Sequence, residues 1–383
     1  MENALRINWR VELIYSKITG WGKYVPPLVM TNYHMAEVID TSDEWIRSRS
    51  GIGQRHYSHI SISDMAWMAA EQALACAGVK SADIDLIVLG STTVEEICPN
   101  TASLIKNKLG AHRAAAFDLN SACTSWLYSL SVASDMIKAG SVKKALVIGA
   151  ERLSLAMDWT KRESCFLFGD GAGAVVIEAS DKQAGLQGYH MGCVPDSREC
   201  LRIPDWGLSP THFTETTPIS LDFEGQEIFK SAVKGMGEAI EKVLDQEGIA
   251  ADDIDLFVPH QANIRIIQTL AKRLNFSMEK VVVCIEKYAN TSAAAIPLAL
   301  CDALEAGRVK PGSLILTASF GAGLTYGAGI IRWGDSVTSK GHSSAFIPPF
   351  EGTVFDLMAD SFAHYGIEVS HLLSDGSEEQ LEN

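Results

Sequence analysis

An internal repeat restricts the fold of this chain more than any other feature. Three short segments of the first half return, in the same order, in the second: Ile84-Asp85-Leu86-Ile87-Val88 as Ile254-Asp255-Leu256-Phe257-Val258, Ala145-Leu146-Val147-Ile148 as Leu314-Ile315-Leu316-Thr317, and Gly171-Ala172-Gly173 as Gly327-Ala328-Gly329. The first two share an offset of about 170 residues, and the third has a shorter one. Ordered matches of this kind indicate a duplication. We therefore expect two similar halves that bury their sheets together.

Strand and helix signals alternate through both halves. Apolar runs predict buried strands at 13–15, 84–89, 114–119, 144–148, 174–177 and 281–285. Helical patterns are predicted to start near Thr41, Ser42 or Asp43, and to cover 63–77, 101–109, 264–274 and 293–304. This alternation is typical of an α/β fold with parallel strands buried on both faces. The predicted halves cover residues 13–190 and 215–334.

One turn of the first half places a cysteine at a special position. The strand ending at Leu119 passes over Ser121 and Ala122, and a helical pattern then begins at Cys123. The free N–H groups and positive dipole end of a helix favour a thiolate, which is a strong nucleophile. The alternative interpretation is a buried and inert core cysteine, which is common. This turn alone does not separate the two.

The duplication gives Cys123 two partners in the second half. Asn290 follows the segment equivalent to the strand before Cys123, and His260 follows another predicted strand end. Because ligands bind at strand ends in such sheets, the three side chains are expected on one side of the body. His260 could otherwise be a satisfied core histidine, but its place at a strand end favours a functional role.

A Cys, a His and an Asn suit two kinds of acyl transfer. In a decarboxylating condensation, the thiolate holds an acyl group while the other two side chains stabilise an enolate oxyanion. In a papain-like hydrolase, the histidine is the base and the asparagine orients it. The residue types alone leave both open.

Four further segments carry a family resemblance: Asp40-Thr41-Ser42-Asp43-Glu44-Trp45-Ile46, Phe168-Gly169-Asp170-Gly171-Ala172-Gly173-Ala174-Val175, Val258-Pro259-His260-Gln261-Ala262-Asn263 and Asn290-Thr291-Ser292-Ala293-Ala294. In order and spacing, from about Leu13 to Trp333, they resemble β-ketoacyl-acyl-carrier-protein synthase III. The resemblance implies a thiolase-like fold, a duplicated α/β unit in α-β-α-β-α layers. It also implies a catalytic triad of Cys123, His260 and Asn290, and a homodimer without metal or cofactor that uses acyl-CoA and malonyl-acyl carrier protein as substrates.

The same resemblance assigns roles to further positions: Trp45, Arg49, Arg162 and Asn263 bind CoA; Lys230 and Arg265 dock the acidic carrier protein; the backbone of Cys123 and Ala322 forms an oxyanion hole; and Cys98, Trp126 and Phe223 line the acyl pocket. From the residues alone, the arginines and the lysine would be interpreted as ordinary solvated side chains.

Three positions depart from the family pattern. The nucleophile is followed by Thr124-Ser125-Trp126 instead of Ala-Gly-Phe, and the family's triple glycine is Gly321-Ala322-Gly323. Where the family commonly closes the acyl pocket with a Phe of the other subunit, this chain has Cys98. We therefore expect a medium-chain acyl primer. The alternatives are a related enzyme of secondary metabolism with another acceptor and, less favoured because the triad is intact, a non-catalytic carrier-protein-binding module.

Composition excludes several other classes. A net charge of −15 argues against nucleic acid and anionic membranes as partners. Eight cysteines without a CxxC pair argue against a zinc knuckle, and the charged first twelve residues do not look like a secretory signal. No apolar run approaches a membrane span, so a cytoplasmic protein is expected. In the extension 335–383, a helix is predicted at 354–365, and residues 374–383 are expected to be disordered. Gly169 to Gly173 could be a phosphate loop, but close backbone packing fits better.

Overall fold

The structure, a computed structural model, describes residues 13–195, 198–204 and 221–374. Its strands are β1 Tyr15–Tyr24, β2 Leu28–Thr31, β3 Gln54–Tyr57, β4 Leu86–Gly90, β5 Ala115–Leu119, β6 Lys144–Glu151, β7 Gly171–Ser180, β8 Gly185–Cys193, β9 Leu201–Arg202, β10 Asp222–Phe223, β11 Leu256–Pro259, β12 Leu314–Gly321 and β13 Thr325–Arg332. Its α-helices are α1 Asn32–Val38, α2 Asp43–Ser50, α3 Ile62–Ala77, α4 Thr101–Leu109, α5 Ser125–Lys138, α6 Gly225–Glu247, α7 Ile264–Arg273, α8 Ile285–Tyr288, α9 Ala295–Glu305 and α10 Val354–His364.

Strand order repeats between the two halves. Within the described residues, the main sheet runs β11-β12-β13-β8-β1-β7-β6-β4-β5. The first half therefore has the order β5-β4-β6-β7-β1, and the second has β11-β12-β13-β8, with Val281 bridged to Phe257 of β11 in the place of β5. Among the described residues, β1 and β8 join the two halves of the sheet through one pairing, Ser16 with Gly185, and an isolated bridge links Phe168 to Asn290. Gly185 has φ +82, and a Cβ there would lie 1.7 Å from the Ser16 carbonyl oxygen, so only glycine fits. The predicted duplication is confirmed.

Three apolar cores separate the layers. The central core combines the buried faces of α5 and α9 with inward side chains of both halves of the sheet, such as Val147 and Ile315. On the outer sides, α3 and α4 cover the first half, and α6 and α7 cover the second. The succession of helices and strands is therefore α-β-α-β-α. Cys123 and His260 follow the ends of β5 and β11, and Asn290 follows α8.

Some local predictions need correction. The sheet is mixed and not parallel, because β7 runs antiparallel to β1 and β6, and β13 runs antiparallel to β12 and β8. β5 is not a buried strand, because it lies at the edge of the sheet and its residues are half-buried or exposed. Residues 281–285 form no strand beyond the Val281 bridge. β1 extends ten residues from Tyr15, where only 13–15 were predicted.

The extension after Trp333 packs on the first half. The helix predicted at 354–365 is α10, and Ser42 is the N-cap of α2, one of the three candidates. α10 buries Val354, Phe355 and Phe362 in a fourth core. Of the segment expected to be disordered, residues 375–383 lie outside the described residues. The division at 13–190, 215–334 and 335–383 remains a prediction.

Candidate active site

A tight turn presents Cys123 at the base of a cavity. After β5, Ala122 adopts φ +54, and residues Ala122–Thr124 form a 3-10 turn that leads into α5. The Ser121 N–H donates to Ser125 Oγ at 2.9 Å, and Ser319 Oγ donates to the Cys123 carbonyl at 2.7 Å. Hydrogen bonds on both sides therefore fix the backbone of the cysteine. Its predicted place, between a strand end and a helix start, is confirmed.

Close backbone packing continues on the far side of Cys123. A Cβ at Gly321, the last residue of β12, would lie 2.6 Å from the Cys123 nitrogen. Only glycine therefore allows β12 to reach the backbone N–H of the nucleophile. Ala322 follows directly and lines the cavity.

His260 is held by the end of β11. Its N–H donates to the Ala318 carbonyl at 2.8 Å, and the residue is 3% exposed. The neighbouring Gln261 side chain donates to the carbonyls of Pro259 and Val282 at 2.8 and 3.0 Å, which fixes the turn. Within the part of the chain that the structure describes, Nδ1 of His260 is buried and has no hydrogen-bond partner. The imidazole is thus placed by its backbone.

Asn290 is fixed from both ends. Its N–H donates to the Leu167 carbonyl at 3.0 Å, and its carbonyl accepts from the Gly169 N–H at 3.1 Å. Its side-chain Oδ1 accepts from the Ser292 N–H at 2.9 Å. This bond commits the oxygen and leaves the N–H₂ group of the amide to donate to a ligand. Asn290 is 7% exposed.

All three residues line one cavity of about 1090 Å³. Cys123 comes from the first half of the chain, and His260 and Asn290 come from the second. The structure therefore brings together the three side chains that were predicted to meet. The size is in the range that accommodates a drug-sized or cofactor-sized ligand.

Burial sets the protonation of the site. It raises the pKa of the Cys123 thiol to about 12, and the nearby Glu151 carboxylate raises it further, whereas a hydrogen bond with Ser292 opposes the rise. Burial also lowers the pKa of His260 to about 4. Burial therefore opposes the thiolate that a helix end would favour. At neutral pH the cavity holds a thiol and a neutral imidazole.

We expect alkylation of Cys123 by iodoacetamide to rise steadily with pH. Because the thiolate is the reactive form, its fraction below a pKa of about 12 grows roughly tenfold per pH unit. Timed quenching and mass spectrometry of the Cys123 peptide, between pH 6 and 9, measure this rate. The exposed Cys193 serves as the internal reference. A plateau of the Cys123 rate near pH 7 would mean a helix-stabilised thiolate after all.

Glu151 is a site residue that the sequence analysis missed. It is fully buried at the end of β6 and accepts hydrogen bonds from Ser292 Oγ at 3.0 Å and from Thr93 N–H and Oγ1 at 3.0 and 2.7 Å. Burial raises its pKa. Since Ser292 also holds Asn290, this carboxylate connects the two halves of the site. The sequence signal that could have identified Glu151 is a charged residue at the end of an apolar strand.

The Trp45 cluster consists of Trp45 and the three side chains that pack around it, Arg49, Arg162 and Phe166. The guanidinium carbon of Arg162 lies 4.4 Å from the Trp45 ring centroid, and that of Arg49 lies 5.0 Å away. Phe166 meets the same indole edge-on at 5.3 Å. Trp45, Arg49 and Phe166 line the cavity. Three residues predicted to bind CoA are therefore neighbours in space.

Asn263 connects this cluster to α7. Its Nδ2 donates to the Arg49 carbonyl at 3.0 Å, and its Oδ1 accepts from the Arg265 N–H at 2.9 Å as the N-cap of the helix. The Arg265 guanidinium lies 5.9 Å from the Phe229 ring centroid. Lys230 also lines the cavity, so the two predicted docking cations share its wall.

Comparison with known proteins identifies the family. The C-terminal model of 3-oxoacyl-[acyl-carrier-protein] synthase III matches residues 244–333, and the model of 3-oxoacyl-[acyl-carrier-protein] synthase III matches residues 117–195. A β-ketoacyl-[acyl-carrier-protein] synthase III 2 of Vibrio cholerae is 48% identical over 91% of this chain and 97% of its own length. The chain belongs to the 3-oxoacyl-acyl-carrier-protein synthase III family.

Solved structures agree with this family. The 3-oxoacyl-[acyl-carrier-protein] synthase III of Aquifex aeolicus has a TM-score of 0.78 and 42% identity, and the match covers 83% of this chain and 100% of that one. A priming β-ketosynthase of the R1128 polyketide pathway has a TM-score of 0.79 and 34% identity, with 84% and 97% covered. The family members share the thiolase-like fold. This synthase is therefore an acyltransferase of the condensing type, which belongs to fatty acid biosynthesis.

Two residues that were predicted to line the acyl pocket lie away from the cavity. Trp126 does not line it, because the apolar face of α5 turns the indole into the central core beside Leu130, where it is 1% exposed. Cys98 is exposed and does not line the cavity either. Phe223 does line it. The placement of Trp126 corrects the prediction, whereas that of Cys98, expected to act across a subunit interface, stays a prediction.

The glycine-rich segment of the synthase is structural. Gly171 to Gly173 lie inside strand β7, and a Cβ at Gly173 would lie 2.7 Å from the Pro297 side chain of α9. Close packing of strand on helix is thereby confirmed, and no helix follows that could bind a phosphate.

The described parts of the synthase contain no group of three or more His, Cys, Asp or Glu side chains that could hold a metal ion. No helix within the same residues has the length and apolar composition needed to cross a bilayer. All eight cysteines lie in these parts, and all are free thiols.

Proposed function

We propose that this synthase forms an acyl-enzyme at Cys123 from an acyl-CoA primer and condenses it with malonyl-acyl carrier protein. The observation that carries the proposal is the meeting of Cys123, His260 and Asn290 in one cavity. The cysteine provides a nucleophile, and the other two provide N–H donors without needing a positive charge. A hydrolase would need His260 as a base, whereas its lowered pKa of about 4 makes it a weak one.

Each proposed step follows from these groups. Cys123 attacks the acyl-CoA carbonyl and the CoA sulfur leaves; the proton of the Cys123 thiol passes to it, so that CoA is released as the thiol. The malonyl thioester then enters, and its carboxylate leaves as CO₂. The electron pair becomes an enolate, whose oxygen accepts hydrogen bonds from His260 and Asn290. The enolate carbon attacks the acyl thioester, and the backbone N–H groups of Cys123 and Ala322 stabilise the oxyanion. The Cys123 thiolate then leaves and takes up a proton from solvent, which restores the thiol.

The proposed entrance for CoA is the Trp45 cluster. An adenine ring has a face that can stack on an indole, and guanidinium groups match the phosphates. Arg49, Arg162 and Asn263 would accompany the nucleotide and the pantetheine. Lys230 and Arg265 supply positive charge on a chain with net charge −15, which suits an acidic carrier protein.

We propose a cytoplasmic homodimer. In the part of the chain that the structure describes, the outer edge of β5 is unpaired, and such edges are readily covered by a second copy. Ile97, next to Cys98, is 69% exposed, which suits an apolar contact. Eight free thiols suit a reducing compartment. Sedimentation analysis tests the dimer, and Leu119→Pro on β5 is expected to weaken it.

Product analysis tests the reaction. Purified enzyme is incubated with acyl-CoA and malonyl-acyl carrier protein, and the carrier protein is weighed by mass spectrometry. Equal amounts of CO₂ and 3-oxoacyl-carrier protein are expected. Release of free fatty acid without CO₂ would favour the hydrolase.

A second candidate is a primer enzyme of secondary metabolism. The observation that favours it is the 34% identity to the priming β-ketosynthase of a polyketide pathway. The acyl-enzyme would then transfer its group to another acceptor. Incubating the loaded enzyme with malonyl-acyl carrier protein in competition with amine and alcohol acceptors distinguishes the two.

We expect the enzyme to prefer a medium-chain primer, because Cys98 replaces a phenyl ring by a thiol. Each buried methylene contributes about 0.8 kcal/mol, so three or four would shift the preference by roughly a hundredfold. A competition of acetyl-CoA with octanoyl-CoA measures it in the parent and in Cys98→Phe. A switch to acetyl-CoA in Cys98→Phe alone is the expected result. Equal or better use of acetyl-CoA by the parent contradicts the prediction. The explanation would then be that Phe223 fills the space left by the smaller Cys98 side chain.

A further inference from the structure

We infer that the C-terminal extension is a positioning element for the nucleotide end of CoA, acting through Trp159. The inference rests on the proposed CoA site at Trp45. The extension follows the last strand, β13, and its path is fixed on the first half of the chain. The Lys340 N–H donates to the Cys76 carbonyl at 2.9 Å, and the Lys340 ammonium donates to the Ala77 carbonyl at 2.9 Å, both at the end of α3.

The second anchor brings the extension to the neighbourhood of β3. His59 Nε2 lies 3.0 Å from the Pro348 carbonyl, and the His59 ring lies 5.9 Å from Phe350. α10 then begins with a capping box between Thr353 and Asp356. Asp356 also accepts from the Ser374 N–H at 3.0 Å, so the end of the described extension folds back on its own helix.

The contact that matters lies between α10 and Trp159. The Trp159 and Phe362 ring centroids are 4.6 Å apart, and Trp159 Nε1 donates to Ser361 Oγ at 2.9 Å. Trp159 is 2% exposed and Phe362 is 0% exposed. The indole is therefore held both by packing and by a directional hydrogen bond, and both come from the extension.

Trp159 lies three residues before Arg162, in one short segment of turns. Consecutive turns connect them, because the Lys161 N–H donates to the Asp158 carbonyl at 3.0 Å and the Cys165 N–H donates to the Lys161 carbonyl at 3.0 Å. Arg162 lies between these turns and stacks on Trp45 at 4.4 Å.

The segment that contains Trp159 and Arg162 continues through Phe166 and Leu167 to the catalytic site. Arg55, fully buried, donates to the Phe166 carbonyl at 3.1 Å, and Phe166 meets Trp45 edge-on. The next carbonyl, of Leu167, accepts the Asn290 N–H at 3.0 Å. Because Arg55 and Asn290 hold this end independently of α10, loss of the extension contact is expected to affect Arg162 and not the triad.

The test compares acyl-CoA with acyl-pantetheine, which lacks the nucleotide. In Phe362→Ala, we expect the KM for acyl-CoA to rise on the order of tenfold, the size of one lost cation–π contact at a partly desolvated ring. The KM values for acyl-pantetheine and for malonyl-acyl carrier protein, and kcat, are expected to stay unchanged. Calorimetric titration with CoA and with pantetheine gives the same comparison without turnover.

Two further variants keep the test decisive. Ser361→Ala removes only the hydrogen bond to Trp159 and is expected to raise the acyl-CoA KM a few-fold in the same direction, even where Phe362→Ala fails to fold. Phe355→Ala is the matched control, because it removes the same ring from the same helix. That ring contacts His34 at 5.3 Å and Phe362 at 6.4 Å, so a rise in the acyl-CoA KM well below that of Phe362→Ala is expected. An equal rise in Phe355→Ala would overturn the route through Trp159.

Trp45→Ala separates this inference from the function on which it rests. If it raises the acyl-CoA KM selectively while Phe362→Ala and Ser361→Ala do not, the positioning role is rejected and the CoA site stands. If Trp45→Ala leaves the ratio of acyl-CoA to acyl-pantetheine unchanged, the nucleotide site at Trp45 is rejected, and the inference with it.

Discussion

Replacing Cys123 by alanine is expected to abolish acyl-enzyme formation and condensation while the fold is retained. The side chain is half-buried, and the hydrogen bonds that shape its turn use the backbone of Cys123 and the side chains of Ser125 and Ser319. Alanine keeps the Cβ and every one of these bonds. Only the sulfur is lost, and with it the group that can hold the acyl chain.

Intact-protein mass spectrometry after incubation with octanoyl-CoA measures this loss directly. The parent is expected to gain one octanoyl mass, and Cys123→Ala is expected to gain none. Cys193→Ala is the control, since that thiol is more exposed but lies outside the cavity. A thermal midpoint within a few degrees of the parent shows that the fold survives. Acylation of another cysteine in Cys123→Ala would remove Cys123 from the mechanism.

The repeat predicted more of the fold than any single motif did. Matches such as Leu86 with Leu256 and Leu146 with Ile315 mark equivalent strands, and the strand order of the two halves agrees with them. What failed was the direction of the strands. Apolar runs report burial and not strand direction, and β7 runs antiparallel to both β6 and β1.

Two misplaced segments have a related cause. β5 is an apolar run, yet it lies at the edge of the sheet. The prediction failed because hydrophobicity does not distinguish the centre of a sheet from an edge that a second copy could cover. Residues 281–285 are also apolar, but only Val281 pairs with β11, and the chain then turns into α8. In both segments, contacts with the rest of the fold determined the structure, and the local sequence pattern did not.

The site was predictable as a set of residues but not as an electrostatic environment. Cys123 and His260 follow strand ends, as the sequence predicted, whereas Asn290 follows the short helix α8. The rise of the thiol pKa depends on burial and on Glu151, which comes from a distant strand end. Trp126 was assigned to the acyl pocket from the family resemblance, which does not say which face of α5 this side chain takes.

Removing His260 or Asn290 is expected to stop condensation while leaving acyl loading largely intact. Neither side chain carries the acyl group, and both are placed to donate N–H groups to the enolate oxygen. Losing one such donor costs on the order of a hundredfold to a thousandfold in rate. We therefore expect His260→Ala and Asn290→Ala to lose CO₂ release by at least that factor, with octanoyl loading reduced far less.

The measurement uses enzyme that has been loaded first. Octanoyl-enzyme is prepared and weighed, malonyl-acyl carrier protein is added, and CO₂ release and loss of the octanoyl mass are followed together. The matched controls are Asn107→Ala and His112→Ala, which change the same residue types at exposed positions. Asn107 lies in α4, and His112 lies just after it. Asn290→Ala also leaves the Ser292 N–H without its acceptor, so its thermal midpoint is measured alongside.

The pH dependence gives an independent outcome. With a pKa of about 4, His260 stays neutral from pH 5 to 8, so condensation by loaded parent enzyme should not change with the ionisation of His260 in that range. Loading, by contrast, should accelerate with rising pH as Cys123 loses its proton. If His260→Ala loads slowly but condenses normally once loaded, His260 acts as the base for Cys123, and the hydrolase-like arrangement of the three residues replaces the one proposed here.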